Sequence, residues 1–220
     1  MKYESIILAS ASGSVGGCTY SSNRAGQYIR RRAKPVNPGS LFAQVITAAM
    51  ASLVARWTQT LDTAQRSAWD AIAFGRSETG LNLYVKYNVL KIQFGFTVVD
   101  TAPIDATVAP LSPATFVGDI DEAGLQIEVN FLNTDPWATA VGGGLGVFVS
   151  RPQGQTINFF KGPYRLAGVV VGAVVPPTSP ATFSVPFPIV ENQKVFTQLR
   201  AIQADGRISG VMNFANIVIA

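Results

Sequence analysis

Val195-Phe196-Thr197-Gln198-Leu199-Arg200-Ala201-Ile202 leads into Gln203-Ala204-Asp205-Gly206, and the chain leaves through Arg207-Ile208-Ser209. An Asp-Gly pair between two apolar runs is a strong short-range hairpin signal, because both residues tolerate the positive φ of a tight turn. It predicts strands over 194–204 and 208–219. Further upstream, Leu125, Ile127, Val129 and Phe131 alternate with Gln126, Glu128 and Asn130, the period-two signature of a half-buried strand. Similar apolar runs predict strands at 145–150, 156–160, 164–175 and 181–187. Seven short strands within 114–220 fit a two-sheet β-sandwich.

The stretch from Val195 to Ser209 also resembles the last hairpin of a fibronectin type III module. The resemblance covers the final third of the chain. It implies a seven-stranded fibronectin III/Ig-like sandwich that binds or spaces and does no chemistry.

Residues 100–113 contain Asp100, Pro103, Pro110 and Pro113 among small side chains, a linker composition. Before them, 40–99 reads as a helical region. Phe42, Val45, Ile46, Ala49, Leu53 and Trp57 recur at spacings of three and four, marking one helix face. Asp62 with Gln65 three residues later matches a capping box and starts a second helix through Trp69 and Ile72. Gly75 is its stop, and a third helix is expected from Leu81 to about Phe94, ending at Gly95.

Residues 1–39 read as an extended basic arm. Ser10 to Gly17 is small and flexible in composition, and Pro35 and Pro38 forbid a regular helix at the junction. The fold class predicted from these pieces is α+β: extended arm, short helical region and C-terminal sandwich.

Charge sharpens the division. Residues 1–40 hold six basic side chains and one acidic, whereas 101–220 hold six basic and eight acidic. Only 14% of the whole chain is charged, low for a freely dispersed monomer, and implies that part of the surface is covered. Arg24, Arg30, Arg31, Arg32 and Lys34 would therefore be the arm's working groups, with Tyr20 and Tyr28 beside them. On an extended strand, successive cations point to opposite faces, which suits an arm threaded between subunits. Phosphate contact with base stacking on the tyrosines is the alternative.

The segment Gly16-Gly17-Cys18-Thr19-Tyr20-Ser21-Ser22-Asn23-Arg24-Ala25-Gly26-Gln27-Tyr28, the arginines after it and Pro35-Val36-Asn37-Pro38 carry a second resemblance. With Gln65, Arg66, Ala68 and Trp69 they are similar to an uncharacterised family of bacterial and phage-associated structural proteins. That resemblance implies a virion setting.

Chemistry finds few footholds. The chain has no histidine, which removes the commonest general acid/base and metal ligand. Its single cysteine, Cys18, allows no internal disulfide and lacks a histidine to activate it. Asp119, Asp121 and Glu122 offer too few ligands at calcium-loop spacing and read as a turn. Gly142-Gly143-Gly144-Leu145-Gly146 lacks the Lys-Ser/Thr of a phosphate loop and reads as a hairpin loop. Val15-Gly16-Gly17-Cys18 faintly resembles a lipoprotein cleavage box, but no hydrophobic region precedes it. The apolar run from Val169 to Val175 is far shorter than the ~20 residues of a membrane helix.

These readings predict a structural subunit, not an enzyme: no cofactor, no metal, no membrane span and no small-molecule substrate. Its expected partners are copies of itself and other virion proteins, with nucleic acid an alternative through the arm. The expected location is the virion, or alternatively an extracellular assembly or cell surface with adhesion through loops such as 133–143. Phe159 and Phe160 are adjacent, so both cannot face inward on one strand, and one is a candidate interface aromatic.

Overall fold

Glycines at two tight turns shape the N-terminal part of the computed structural model, which describes residues 12–33, 41–105, 120–121 and 125–219. Gly16 (φ +58°) turns β1 (Gly13–Val15) into β2 (Cys18–Asn23), and Gly26 (φ +113°) opens β3 (Gly26–Arg31). Asn23 Oδ1 accepts from the Ala25 N–H (3.0 Å) and closes the second turn. The three strands form an antiparallel sheet in the order β1-β2-β3. The expected single extended arm thus folds back on itself twice, because Gly16-Gly17 and Asn23 to Gly26 are turn sequences. Residues 34–39, with Lys34, Pro35 and Pro38, lie outside the described residues.

Three helices follow: α1 (Leu41–Gln59), α2 (Thr63–Ala73) and α3 (Gly80–Gln93). The capping box at the start of α2 is made in full. Asp62 Oδ1 accepts from Gln65 N–H (2.7 Å), and Gln65 Oε1 accepts from Asp62 N–H (3.0 Å). Gly80 lies directly against the Trp69–Asp70 backbone of α2, where any Cβ would collide, and its N–H donates to Asp70 Oδ1 (3.1 Å). At the end of α3, Gly95 (φ +79°) reverses the chain, and the Phe96 N–H donates back to the Lys91 carbonyl (2.8 Å), a Schellman closure.

The chain divides into two compact units, Met1–Leu83 and Tyr84–Ala220. The boundary falls inside α3, not at the proline-bearing linker expected at 100–113. Residues 96–105 are tied down instead. Asn88, fully buried, donates to the Tyr84 and Val99 carbonyls and accepts from Val99 N–H, standing in for a strand partner. Tyr84 Oη donates to Asp100 Oδ1 (3.0 Å), and Arg207 pairs with Asp105 (2.9 Å). Residues 106–113 lie outside the described residues.

Among the described residues of the second unit the elements that follow are strands: β4 (Ile120–Asp121), β5 (Gln126–Val129), β6 (Gly144–Val149), β7 (Arg165–Val171), β8 (Ala181–Ser184), β9 (Lys194–Ile202) and β10 (Met212–Ile219). They hydrogen-bond in the order β7-β6-β9-β10-β4-β5-β8. Every neighbouring pair is antiparallel except β10 with β4. The outer strands β7 and β8 approach each other where Gly168 meets the Phe183 ring. One core lies between, built from Ile127 and Val129 of β5, Leu145, Val147 and Val149 of β6, and Val195, Leu199 and Ala201 of β9. The fold class is α+β, with three helices and antiparallel sheets.

The Asp205-Gly206 turn forms as the residues predict. Gln203 N–H donates to the Arg207 carbonyl (2.9 Å), and Gly206 takes φ +92°. Two other expectations change. Residues 156–160 make no strand; Gly162 at φ +120° and Pro163 interrupt a ladder, and Phe160 packs by its ring instead. Gly144, expected in a hairpin loop, opens β6, and Gly146, read both in that glycine run and in the strand expected at 145–150, is a strand residue too. Their missing side chains leave room for the Phe96 and Phe94 rings, which sit directly over them at the end of α3. That helix end, with Leu90, covers Phe148 and Ile202 on the outer face of the sheet. β6 is consequently buried on both faces and loses the period-two signature.

Candidate functional site

The N-terminal sheet places the basic residues by register. Thr19 pairs with Arg30 and Ser21 with Tyr28, while Cys18 pairs with Arg31 and Tyr20 with Ile29. Paired residues share a face, so Tyr28 and Arg30 lie on one side and Tyr20 and Arg31 on the other. Arg30, Arg31 and Arg32 are exposed, and both tyrosines are half-buried. Arg24 stands apart in the β2–β3 turn, its Nη1 donating to the Glu78 carbonyl (2.6 Å). Lys34 lies outside the described residues. The predicted cluster is therefore split: two cation–tyrosine pairs on opposite faces, Arg32 just past the strand, and Arg24 committed to the chain's own backbone. Cys18 is exposed.

The second unit holds a cleft of about 410 Å³, within the ~300–1,000 Å³ range of small-ligand sites. Its floor is the outer face of β9 and β10. Phe196 pairs with Ala215 and Gln198 with Asn213, so all four share that face. Its wall is the irregular segment from Asn158 to Tyr164. Phe160 stacks on Phe196 (centroids 5.9 Å apart, planes 17°) and meets Tyr164 edge-on (5.2 Å, 85°). Tyr164 Oη donates to the Phe160 carbonyl (3.1 Å). Burial raises the Tyr164 phenol above its ordinary 10.0, and a hydrogen bond with the Gln198 side chain acts the other way. Lys194 Nζ donates to Asn158 Oδ1 (3.2 Å) at the rim.

No protein-family model matches this chain, nor does any curated protein or solved structure.

The adjacent pair Phe159-Phe160 divides as strand geometry demands even without a strand. Phe160 is half-buried against Phe196, while Phe159 is 76% exposed at the mouth of the cleft. The remaining lining residues, Tyr164, Gln198 and Asn213 among them, were not legible as site residues, because their convergence depends on the pairing of β9 with β10. The loop 133–143, expected as an adhesion loop, is exposed at Val141 and anchored at its middle. Its Trp137 is buried against Phe131 (centroids 5.3 Å), with Nε1 donating to Asp135 Oδ2 (3.1 Å). Among the described residues there is no group of three or more His, Cys, Asp or Glu placed to hold a metal ion. Asp119 and Glu122 lie outside the described residues. No helix among the described residues is long and apolar enough to cross a membrane.

Proposed function

We propose that this chain is a structural subunit of a virion-like particle, in which the basic N-terminal sheet contacts neighbouring copies. The observation that carries the reading is the burial of that sheet. Residues 12–33 complete a three-stranded ladder, yet not one of them is buried. A small sheet in water gains stability from an apolar face packed on something else. Val15, Tyr20 and Ile29 offer such a face, and exposed Arg30, Arg31 and Arg32 border it with groups suited to planar hydrogen bonding at an interface. The low overall charge agrees with a surface meant to be covered.

The seven strands divide naturally into β4-β5-β8 and β7-β6-β9-β10, joined by the parallel β10–β4 step. Three strands facing four across one core is the layering that the fibronectin III/Ig-like resemblance implies. On this reading the sandwich spaces or presents, and the N-terminal sheet assembles.

Analytical ultracentrifugation and electron microscopy of the full chain and of a chain beginning at Ser40 test the proposal. The full chain is expected to form a regular particle, ring or filament, and the shortened chain to stay folded and dispersed. Identical assembly by both would overturn it.

A second reading, nucleic-acid binding, draws on the placement of a tyrosine beside an arginine on each face of the sheet. Replacing Arg30, Arg31 and Arg32 by Ala would then weaken binding to single-stranded DNA or RNA and flatten its salt dependence. An intact chain with no measurable affinity at moderate salt removes this reading.

A further inference from the structure

We propose that the cleft beside β9 and β10 is a binding site for the pyranose ring of a neutral saccharide. Its lining has two kinds of group. Phe159 and Phe160 supply ring surface, with Phe159 standing exposed at the mouth. Asn158, Gln198 and Asn213 supply carboxamides, each with two N–H donors and an acceptor oxygen. A pyranose has the matching asymmetry: a flat patch of C–H groups on one face and hydroxyls, each both donor and acceptor, around the edge. No carboxylate is among the lining residues, and the single charged one is Lys161.

Other occupants fit less well. An extended peptide adding to a sheet needs a strand's backbone N–H and C=O groups, which lie in the plane of the sheet. The floor of this cleft is instead a sheet face, where β9 and β10 present only side chains. A proline-rich peptide would stack on the rings, but prolines donate no hydrogen bond and would leave the amide oxygens unmatched. A purely apolar ligand would offer no partner to the carboxamide N–H and C=O groups that the Lys194–Asn158 and Tyr164–Gln198 bonds leave over.

The cleft is also held in shape before any ligand arrives. The Phe160–Phe196 stack, the Tyr164 Oη bond to the Phe160 carbonyl and the Lys194–Asn158 bond fix the wall from three directions. Ordering of the wall is thus largely complete in the free protein, which lowers the cost of binding.

The test is titration of the isotope-labelled full chain with maltotriose, cellotriose and triacetylchitotriose, alongside a decaproline peptide, followed by amide chemical shifts. A broad glycan array extends the search. At least one saccharide is expected to give saturable shifts confined to residues 158–164, 196–198 and 213–215. Phe159→Ala and Asn213→Ala, both at exposed positions, are each expected to weaken that binding about tenfold, or ~1.4 kcal/mol, with the fold unchanged by circular dichroism. The proposal is overturned if no saccharide binds, if only decaproline shifts the cleft, or if both variants bind like the parent chain.

Discussion

Lys91 Nζ donates to the carbonyl of Ala204 at 2.6 Å, joining α3 to the β9–β10 turn across 113 residues of sequence. The same ammonium donates to the Gly142 carbonyl (3.2 Å), so one lysine, only 1% exposed, closes two turns at once. Its acceptors are backbone carbonyls, and Asp205 supplies the nearby negative charge. The arrangement satisfies polar groups that a methylene side chain would leave orphaned.

Lys91→Met keeps most of the volume and removes the donors. It is expected to destabilise the folded chain by about 1–3 kcal/mol, read as a lower urea midpoint with an unchanged slope. An unchanged midpoint would mean that the two carbonyls are satisfied without the lysine.

The same pair predicts a pH dependence. Burial, opposed by Asp205, lowers the Lys91 pKa from its ordinary 10.5. Between the lowered folded value and 10.5, the unfolded chain binds more protons than the folded one, so stability rises with pH there. Below that window the lysine is charged in both states and this gain is absent. Tyr164, whose pKa is raised, works in the opposite sense above 10.0, which is why the comparison must be differential. The parent chain's advantage over Lys91→Met is therefore expected to grow as pH climbs toward 10.5, measured by urea unfolding at stepped alkaline pH. An advantage that shrinks with pH would contradict the direction of the shift.

The Phe94 ring, just past the end of α3, occupies the space that a Cβ on Gly146 of β6 would need. Gly146→Val is expected to cost at least the ~1–3 kcal/mol typical of overpacking, by displacing the end of α3. Phe94→Ala alone costs ~3–5 kcal/mol for a well-packed ring. In the double variant the valine fills part of the space left by the ring, so the two costs should sum to less than their separate values. Strict additivity in a thermal or urea cycle would argue that the two residues do not share that space.

In the first unit the Asp62–Gln65 box satisfies donors at the start of α2 with its own side chains. Asp62→Ala is expected to lose about 1 kcal/mol, and Asp62→Asn or Asp62→Ser much less. Melting temperatures of the three variants check this; equal losses for all three would show that shape at the cap, not hydrogen bonding, holds the helix start.

These residues also separate what could be read early from what could not. The Asp205-Gly206 turn and the Asp62–Gln65 box were legible because their partners lie within a few residues of each other. The strand expected at 156–160 failed for the opposite reason. The segment is apolar, but Phe160 packs on Phe196, 36 residues away, and not on a ladder. The glycine run 142–146 reads as a loop because glycine's local meaning is a turn, yet Gly144 and Gly146 lie in β6, which the strand expected at 145–150 matches from Leu145 onward. Their actual use, receiving two phenyl rings, exists only once α3 lies on the sheet. The two-residue β4 was missed because two residues carry no period.

The arginine run and its alternation between two faces were legible from the sequence, but placing Tyr20 on the face of Arg31 needed the strand register, and register needed the turns at Gly16 and Gly26. The aromatic cleft needed more, since the pairing of β9 with β10 had to bring Gln198 beside Asn213 before the wall could close over them.

The amino-acid order alone determined the α+β class, the helix starts and stops, the Asp205-Gly206 hairpin and the basic character of the N-terminal segment, all set by interactions within a turn or two of chain. Tertiary structure decided where Lys91 finds its acceptors, why β6 is rich in glycine and which aromatics share a cleft. Those outcomes depend on partners 51 and 113 residues away for Lys91, and on strand register for the cleft. Local sequence constrains a residue's conformation; only the closed chain decides its neighbours.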